Sequence, residues 1–346
     1  MLPKSLFLSL GLLAFQAAQS VVALNATTIG DCPALSARTS APKGVTDLRA
    51  DDISLIGAMG DSIMAGALMM GVNGNGGTGI LNISAITEYR GNSYAIGGDD
   101  SAITLAKFVQ RYNSSLKGSS TGSHIGSLCL VPLGCIIIIG MKTIAGSRFE
   151  SAWKMITIQI GSNDQCASCD SSSAEDVTAE AYGKYVSDAV ERIRQNIPRV
   201  IVNLLGVFRV SPVYDISAGQ EYCRPKNNDS STIMNRSECS CFGANATEQD
   251  RRNMDALADS YNEKLLEIYN KYKANQSDTF AVVYQPANID IAKFPIEALS
   301  LQTHQWIAKA VWNQIYLPQS SKPKVLEFDK DAQIYCPTES DRIQIN

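Results

Sequence analysis

The chain has 346 residues, of which 45% are apolar and 18% charged, with a formal net charge of −4. This balance is ordinary for a globular protein and supplies no positive field that would make nucleic acid or acidic lipid its main partner. The length fits a single large α/β domain, since length is only a soft guide to domain number.

Residues 1–23 read as a secretory signal peptide: Lys4 gives the positive start, Leu6 to Phe15 the apolar core, and Ala18, Ser20 and Ala23 the small residues of a cleavage site. That apolar core is too short for a spanning helix. Seven Asn-x-Ser/Thr sequons, at Asn25, Asn82, Asn113, Asn228, Asn235, Asn245 and Asn275, agree with secretion or display on the extracellular surface. Nine cysteines in such a chain imply disulfides, and the odd count leaves at least one without an intramolecular partner. Cys166 and Cys169 have the spacing of half a zinc site, but no second pair exists and the only histidines are His124 and His304, so a disulfide is the better reading.

Residues 24–346 are expected to form one domain. Asn25 to Asp51 is polar and extended. Ile53 to Met59 is an apolar run that predicts a buried strand, opening onto a helix-compatible stretch from Ile63 to Met70. Ser62 therefore falls at a strand-to-helix turn, where the helix N–H groups and dipole would favour an oxyanion. Gly71 to Gly79 lacks the Lys-Ser/Thr ending of a phosphate-binding loop and reads as a flexible connection. Tyr89 to Gly98 predicts an edge strand and Ser101 to Tyr112 a helix. Leu128 to Gly140 fits poorly, being too broken to span a membrane, while its four isoleucines would need burial on both faces if they formed a strand.

From Trp153 the rhythm is regular. Strands are expected at Trp153 to Ile160, Arg199 to Phe208 and Phe280 to Gln285. Helices are expected at Ala174 to Asn196, with Val177, Ala181, Ala189 and Ile193 inward, at Glu248 to Lys273 and at Leu301 to Tyr316. Val210 to Ala246 is a cysteine-rich insertion. Apolar strands alternating with helices predict a mostly parallel, five-stranded sheet covered by helices on both faces. Its active site would lie at the carboxyl ends of the strands, where Ser62 and the Gly161-Ser-Asn-Asp164 turn both fall.

A serine needs a base to take its proton and donors aimed at the developing oxyanion. Ser62 alone could be a helix cap. Paired with Asn163 at the end of a second strand, it becomes a candidate nucleophile, with the Asn163 amide as a candidate donor.

These turns resemble those of the GDSL or SGNH hydrolases, and more closely the phospholipase B-like branch. The resemblance extends to Glu88 to Asp99 (EYRGNSYAIGGD), Trp153 to Cys166 (WKMITIQIGSNDQC), Pro198 to Asn203 (PRVIVN), Ala308 to Asn313 (AKAVWN) and Tyr335 to Pro337 (YCP). It implies a three-layer α/β/α sandwich, flavodoxin-like in plan, and a secreted or surface-held esterase or lipase that needs no metal or organic cofactor, with Ser62 as nucleophile and Asn163 as oxyanion donor. Asp61, Gly161 and Asp164 would support the two turns. The implied partner is a lipid or other ester substrate, met through transient contact with a membrane surface, and the expected state is a monomer.

Two parts of the family pattern are missing. The Asp-x-x-His pair that supplies base and orienting acid is absent, because Ile296 to Ser300 runs directly into Leu301 to Trp306. His304 resembles a later histidine of that region, better read as packed or capping than as a base. The glycine donor expected before Trp153 is replaced by Leu128 to Gly140, leaving Gly97 and Gly98 as substitutes that read more simply as turn glycines. Both gaps abut sequence that follows the family, which points to a skipped exon at Ser300/Leu301 and a retained intron near Leu128 to Ala145. The leading reading is a serine esterase cleaving phospholipid or lysophospholipid acyl esters through an acyl-serine. The alternatives are a catalytically impaired binding glycoprotein on the same scaffold and an esterase of acetylated polysaccharide.

Overall fold

In a computed structural model of the chain, the described residues are 24–70, 87–125, 133–217, 239–243, 245–275, 277–294 and 301–346. The expected signal peptide, the Gly71 to Gly79 loop, the sequons at Asn82, Asn228 and Asn235, and most of the cysteine-rich insertion lie outside them.

The apolar runs form four parallel strands: β1 (Ile53–Gly60), β2 (Trp153–Gln159), β3 (Val200–Leu205) and β4 (Phe280–Gln285), hydrogen-bonded in that order. Every residue of the last three is buried, as a sheet covered on both faces requires. On one face Leu55, Ile156, Ile158, Val202 and Val282 pack in one cluster; on the other Ile53, Ile56, Met155, Ile201 and Val283 pack in a second. The alternation of side chains along a strand divides them this way, with an irregularity between Ile53 and Leu55 that moves those two to opposite faces.

The helices are α1 (Leu105–Tyr112), α2 (Leu133–Ala145), α3 (Ser162–Ala167), α4 (Ala179–Asn196), α5 (Pro212–Ile216), α6 (Glu248–Ala274) and α7 (Leu301–Ile315). α4 and α6 cover one face of the sheet, α1 and α7 the other. Local chemistry fixes their starts. Thr247 and Asp250 form a reciprocal capping box at α6, while Thr104 and Thr178 accept N–H bonds in the first turns of α1 and α4. The buried stripe of α4 is Tyr182, Gly183, Val186, Val190 and Ile193, so the expected Ala181 and Ala189 are only half-buried.

Three expectations change, and one stretch that had no expected element receives one. Ile63 to Met70 is a series of turns, because Gly66 (φ 68°) and Leu68 (φ 59°) adopt left-handed backbone that a continuing helix excludes. Tyr89 to Gly98 is no strand: Arg90–Asn92 forms a single 3-10 turn within it. The place beside β1 is taken by Lys117, whose carbonyl accepts from the Ile56 N–H at 2.9 Å and whose N–H donates to Ser54 O at 3.0 Å. The sheet thus has four strands and one bridging residue among the described residues, where five strands were expected. Finally, the isoleucine run belongs to helix α2. Met141 and Ala145, one turn apart, are buried, whereas Ile139 is 64% and Ile144 44% exposed. A helix satisfies its own backbone and needs only one buried face. No helix among the described residues is long and apolar enough to cross a membrane.

Three disulfides join Cys32 to Cys336, Cys166 to Cys239 and Cys169 to Cys241. The last two bind the end of the insertion to α3 and account for both cysteines of the Cys-x-x-Cys pair. The amide of Asn113 donates to Ile53 O at 2.9 Å, which ties that sequon into the fold, while Asn25, Asn245 and Asn275 are exposed.

Candidate active site

β1 and β2 remain in register to their last residues, where Gly60 pairs with Gln159. The chain leaves each strand in a turn, carrying Ser62 from one and Asn163 from the other, and both residues are exposed. The neighbouring strands approach closely here. A Cβ on Gly60 would lie 2.3 Å from Gln159 O and 2.6 Å from Met64 Cβ, so only glycine fits. Gly161 is required for a second reason: its φ of 131° is unsuited to side chains, and an added Cβ would meet Val207 Cγ1 at 3.1 Å.

Asp61 ties the turns together. Its carboxylate accepts from the Ile63 N–H of its own turn at 3.0 Å, and Ser162 of the other turn lies near enough to favour its charged form. Burial pushes the Asp61 carboxyl up despite these contacts. Burial likewise raises Asp164, and the Asp61 charge adds to that rise. The second turn opens the short helix α3, with Asn163 in its first turn. The Ser62 turn opens no helix, so the dipole contribution expected there is absent.

Several residues that sequence reading passed over hold this arrangement. Ser93 Oγ donates to Met64 O at 2.5 Å, and the Tyr94 hydroxyl donates to Gln159 Oε1. Gln159 Nε2 continues to Gly206 O at 2.9 Å. The fully buried Gln165 donates through Nε2 to Phe208 O at 3.1 Å and accepts from the Val210 N–H at 3.3 Å. The block from Glu88 to Asp99 is thus a wedge beneath the Ser62 turn. The signal available in the sequence was the presence of polar Gln159 and Gln165 in otherwise buried apolar surroundings.

Neither histidine reaches Ser62 by a hydrogen bond among the described residues. His124 Nε2 contacts Thr121 O at 3.1 Å on the surface. His304, on α7, is buried, and its Nδ1 accepts from the Tyr94 N–H at 3.3 Å. Gly98 is no free donor either, because its N–H is given to Ser120 O at 2.7 Å. That bond corrects its place among the candidate oxyanion donors.

Burial lowers the His304 pKa from 6.5 to about 4. Above pH ~6.5 the imidazole is neutral in both the folded and the unfolded chain, so its contribution to stability is fully present. As pH falls towards 4 the unfolded chain takes up a proton that the folded chain refuses, and stability is lost. At about 1.4 kcal/mol per pKa unit, the expected loss is about 3 kcal/mol at pH ~4. Urea unfolding of the wild type and His304→Asn at neutral pH and near pH 4 measures it. An equal acid loss in both proteins would remove His304 as the cause.

The arrangement is that of a family of ester hydrolases. A model of the GDSL-like lipases and acylhydrolases matches residues 56–312, and the chain belongs to that family. It is 29% identical over 348 residues to membrane-associated phospholipase B1 of Mus musculus. It is 26% identical over 343 residues to membrane-associated phospholipase B1 of Homo sapiens, and equally so to that of Rattus norvegicus. Each alignment covers 89% of this chain but 22% of the relative, so the chain spans under a quarter of the length of these proteins.

Proposed function

We propose that the chain is the scaffold of a secreted serine esterase acting on phospholipid or lysophospholipid acyl esters. Ser62 is the nucleophile, the Asn163 amide and the Ser62 N–H are oxyanion donors, and the product of attack is an acyl-serine. The observation that carries this reading is the register of β1 and β2, in which Gly60 pairs with Gln159 and the two strands deliver Ser62 and Asn163 to the same edge of the sheet, with Asp61 beside both turns. A donor contributes to catalysis only if it is held in place before charge develops on the substrate. Kinship with phospholipases B1 supports a lipid ester, and the three disulfides suit secretion.

A second reading has its own support. Both histidines are engaged elsewhere, which favours a binding glycoprotein of low activity on the same scaffold.

The test combines fluorophosphonate labelling with release of fatty acid from lysophospholipid and of acetate from an acetylated glycan. Slow labelling that disappears in Ser62→Ala, with fatty acid as the product of an equally slow hydrolysis, is expected. A folded protein that is never labelled would leave the binding reading, and acetate as the main product would replace the lipid substrate with a glycan.

A further inference from the structure

The net charge of −4 conceals an uneven distribution. From Ser101 to Phe149 the sequence contains no Asp or Glu, and its cations are Lys107, Arg111, Lys117, Lys142 and Arg148. The whole chain has 34 acids in 346 residues, so an acid-free run of this length is a local reversal of the overall charge. The fold brings part of the run to one edge. Outside β1, the outermost strand, stands Lys117 with its side chain exposed. Helix α2 packs against β1 and α4 and so borders the same edge. Its outward side carries Ile139, 64% exposed, Ile144, 44% exposed, and Lys142 between them; Arg148 follows in the next turn, also exposed.

Neighbouring acids do not cancel these charges. Lys142 Nζ lies 5.5 Å above the Phe149 ring, and among the described residues no ion pair engages it, Lys117 or Arg148. Asp188 and Glu191 of α4, which share a groove with Ile138, are paired with Lys184 and Arg194. One exposed isoleucine is ordinary. Two on one helix, with unpaired cations around them, form the pattern of a helix that lies on a lipid surface: the apolar side chains enter the acyl boundary while Lys and Arg meet phosphate oxygens. Nucleic acid would use the cations and leave the isoleucines in water. A zwitterionic surface would receive the isoleucines and offer the cations no net field.

We propose that the β1 edge, formed by Lys117, the outward side of α2 and Arg148, docks on an anionic lipid surface. Helix α2 stands where this chain departs from the family pattern, so the face is a property of this sequence and not of the resemblance. Since β1 ends in the turn carrying Ser62, docking by this edge holds that turn beside the lipid. The proposal deepens the esterase reading and rests on it only for what the docked protein does there. Each cation facing the surface should strengthen binding about fivefold at low salt.

The experiment is flotation of the wild-type protein with phosphatidylcholine vesicles and with vesicles of phosphatidylcholine and phosphatidylglycerol mixed equally. Binding to the anionic vesicles that weakens as salt is added, with little binding to the neutral ones, is expected. Lys142→Glu combined with Arg148→Glu should weaken it at least ~30-fold. Ile139→Ser combined with Ile144→Ser, which leaves the charge unchanged, should weaken it at least ~10-fold. Thermal melting checks that these variants fold. If either pair melts early, Lys117→Glu, on a separate part of the edge, serves in its place.

Equal binding to both kinds of vesicle, binding to neither, or wild-type binding by the stably folded variants would overturn the proposal. Capture of a double-stranded oligonucleotide without vesicle binding would replace the lipid with nucleic acid. Vesicle binding that the variants lose, in a protein that cleaves no ester, supports the docking face and removes the hydrolase reading. Cleavage of a soluble ester without vesicle binding does the reverse.

Discussion

Ser62→Ala is expected to lower ester hydrolysis by less than about 10-fold in the chain as it stands, yet by roughly 10⁶-fold once an Asp-x-x-His segment is inserted between Ser300 and Leu301. The asymmetry follows from how a triad works. Nucleophile and base act as one unit, so removing either costs nearly as much as removing both, and what remains comes from binding and oxyanion donors. Leu301 follows Ser300 directly, and His304 is held inside the fold by the Tyr94 N–H. On the proposed reading the unit is therefore already broken, and Ser62 has little left to lose.

Steady-state hydrolysis of a lysophospholipid by the four proteins, with and without the insert and each with and without Ser62→Ala, reads the interaction directly. Similar losses on Ser62→Ala in both backgrounds would mean that another group activates the serine, and the triad account would fall. A folded insert-bearing protein with no gain in rate would show that the missing base is not the only defect.

Replacing Cys32 and Cys336 together by alanine is expected to cost about 5 kcal/mol, the second large effect. These cysteines are 304 residues apart, and both are buried. In the chain-entropy picture, a crosslink that closes so long a loop restricts the unfolded chain strongly. Beside the crosslink, the first part of the N-terminal segment is held by a short ribbon and a few hydrogen bonds, among them the Ser36 N–H to Glu339 Oε1 at 2.9 Å. Leu24–Ala26 pairs with Ile334–Cys336 over three residues, and Arg111 Nη2 donates to Cys32 O at 2.5 Å. Thermal unfolding should shift by about 10 °C, and limited proteolysis should begin in the first described residues. A shift below ~2 °C would mean that the packing around the ribbon, not the crosslink, holds the two ends together.

The sheet was legible in the sequence because its cause is local and strong. Continuous apolar runs such as Val200 to Leu205 have few other uses in a chain of this length. β4 begins and ends where its sequence pattern does, and α6 matches to within one residue because Thr247 and Asp250 mark its start. The errors lie where tertiary contacts override pattern. Ile63 to Met70 has helical spacing, but its backbone is directed by Ser93 and by the Thr87 carbonyl, which accepts from the Leu68 N–H at 3.0 Å.

The isoleucines of α2 received no element from the sequence for a different reason. β-branched residues suit strands, yet a strand there would have required a second buried face that no neighbour among the described residues supplies. At the candidate site, the paired turns were visible in Gly60-Asp-Ser62 and Gly161-Ser-Asn163. The service of Asp61 to both was visible only in three dimensions, since Asp61 and Ser162 stand far apart in the sequence. Gly98 looked available as a donor because sequence does not reveal that its N–H belongs to Ser120.

The pairing of Gly60 with Gln159 makes the end of the sheet a ruler. Ser62 and Asn163 are spaced by backbone rungs, whereas on the proposed reading the family's base arrives on a separate segment that contributes nothing to that spacing. The two halves of the machinery are therefore modular. A lineage, or a splice variant, can discard the base and still inherit a correctly ruled nucleophile turn, so that loss of catalysis need not carry loss of the fold with it.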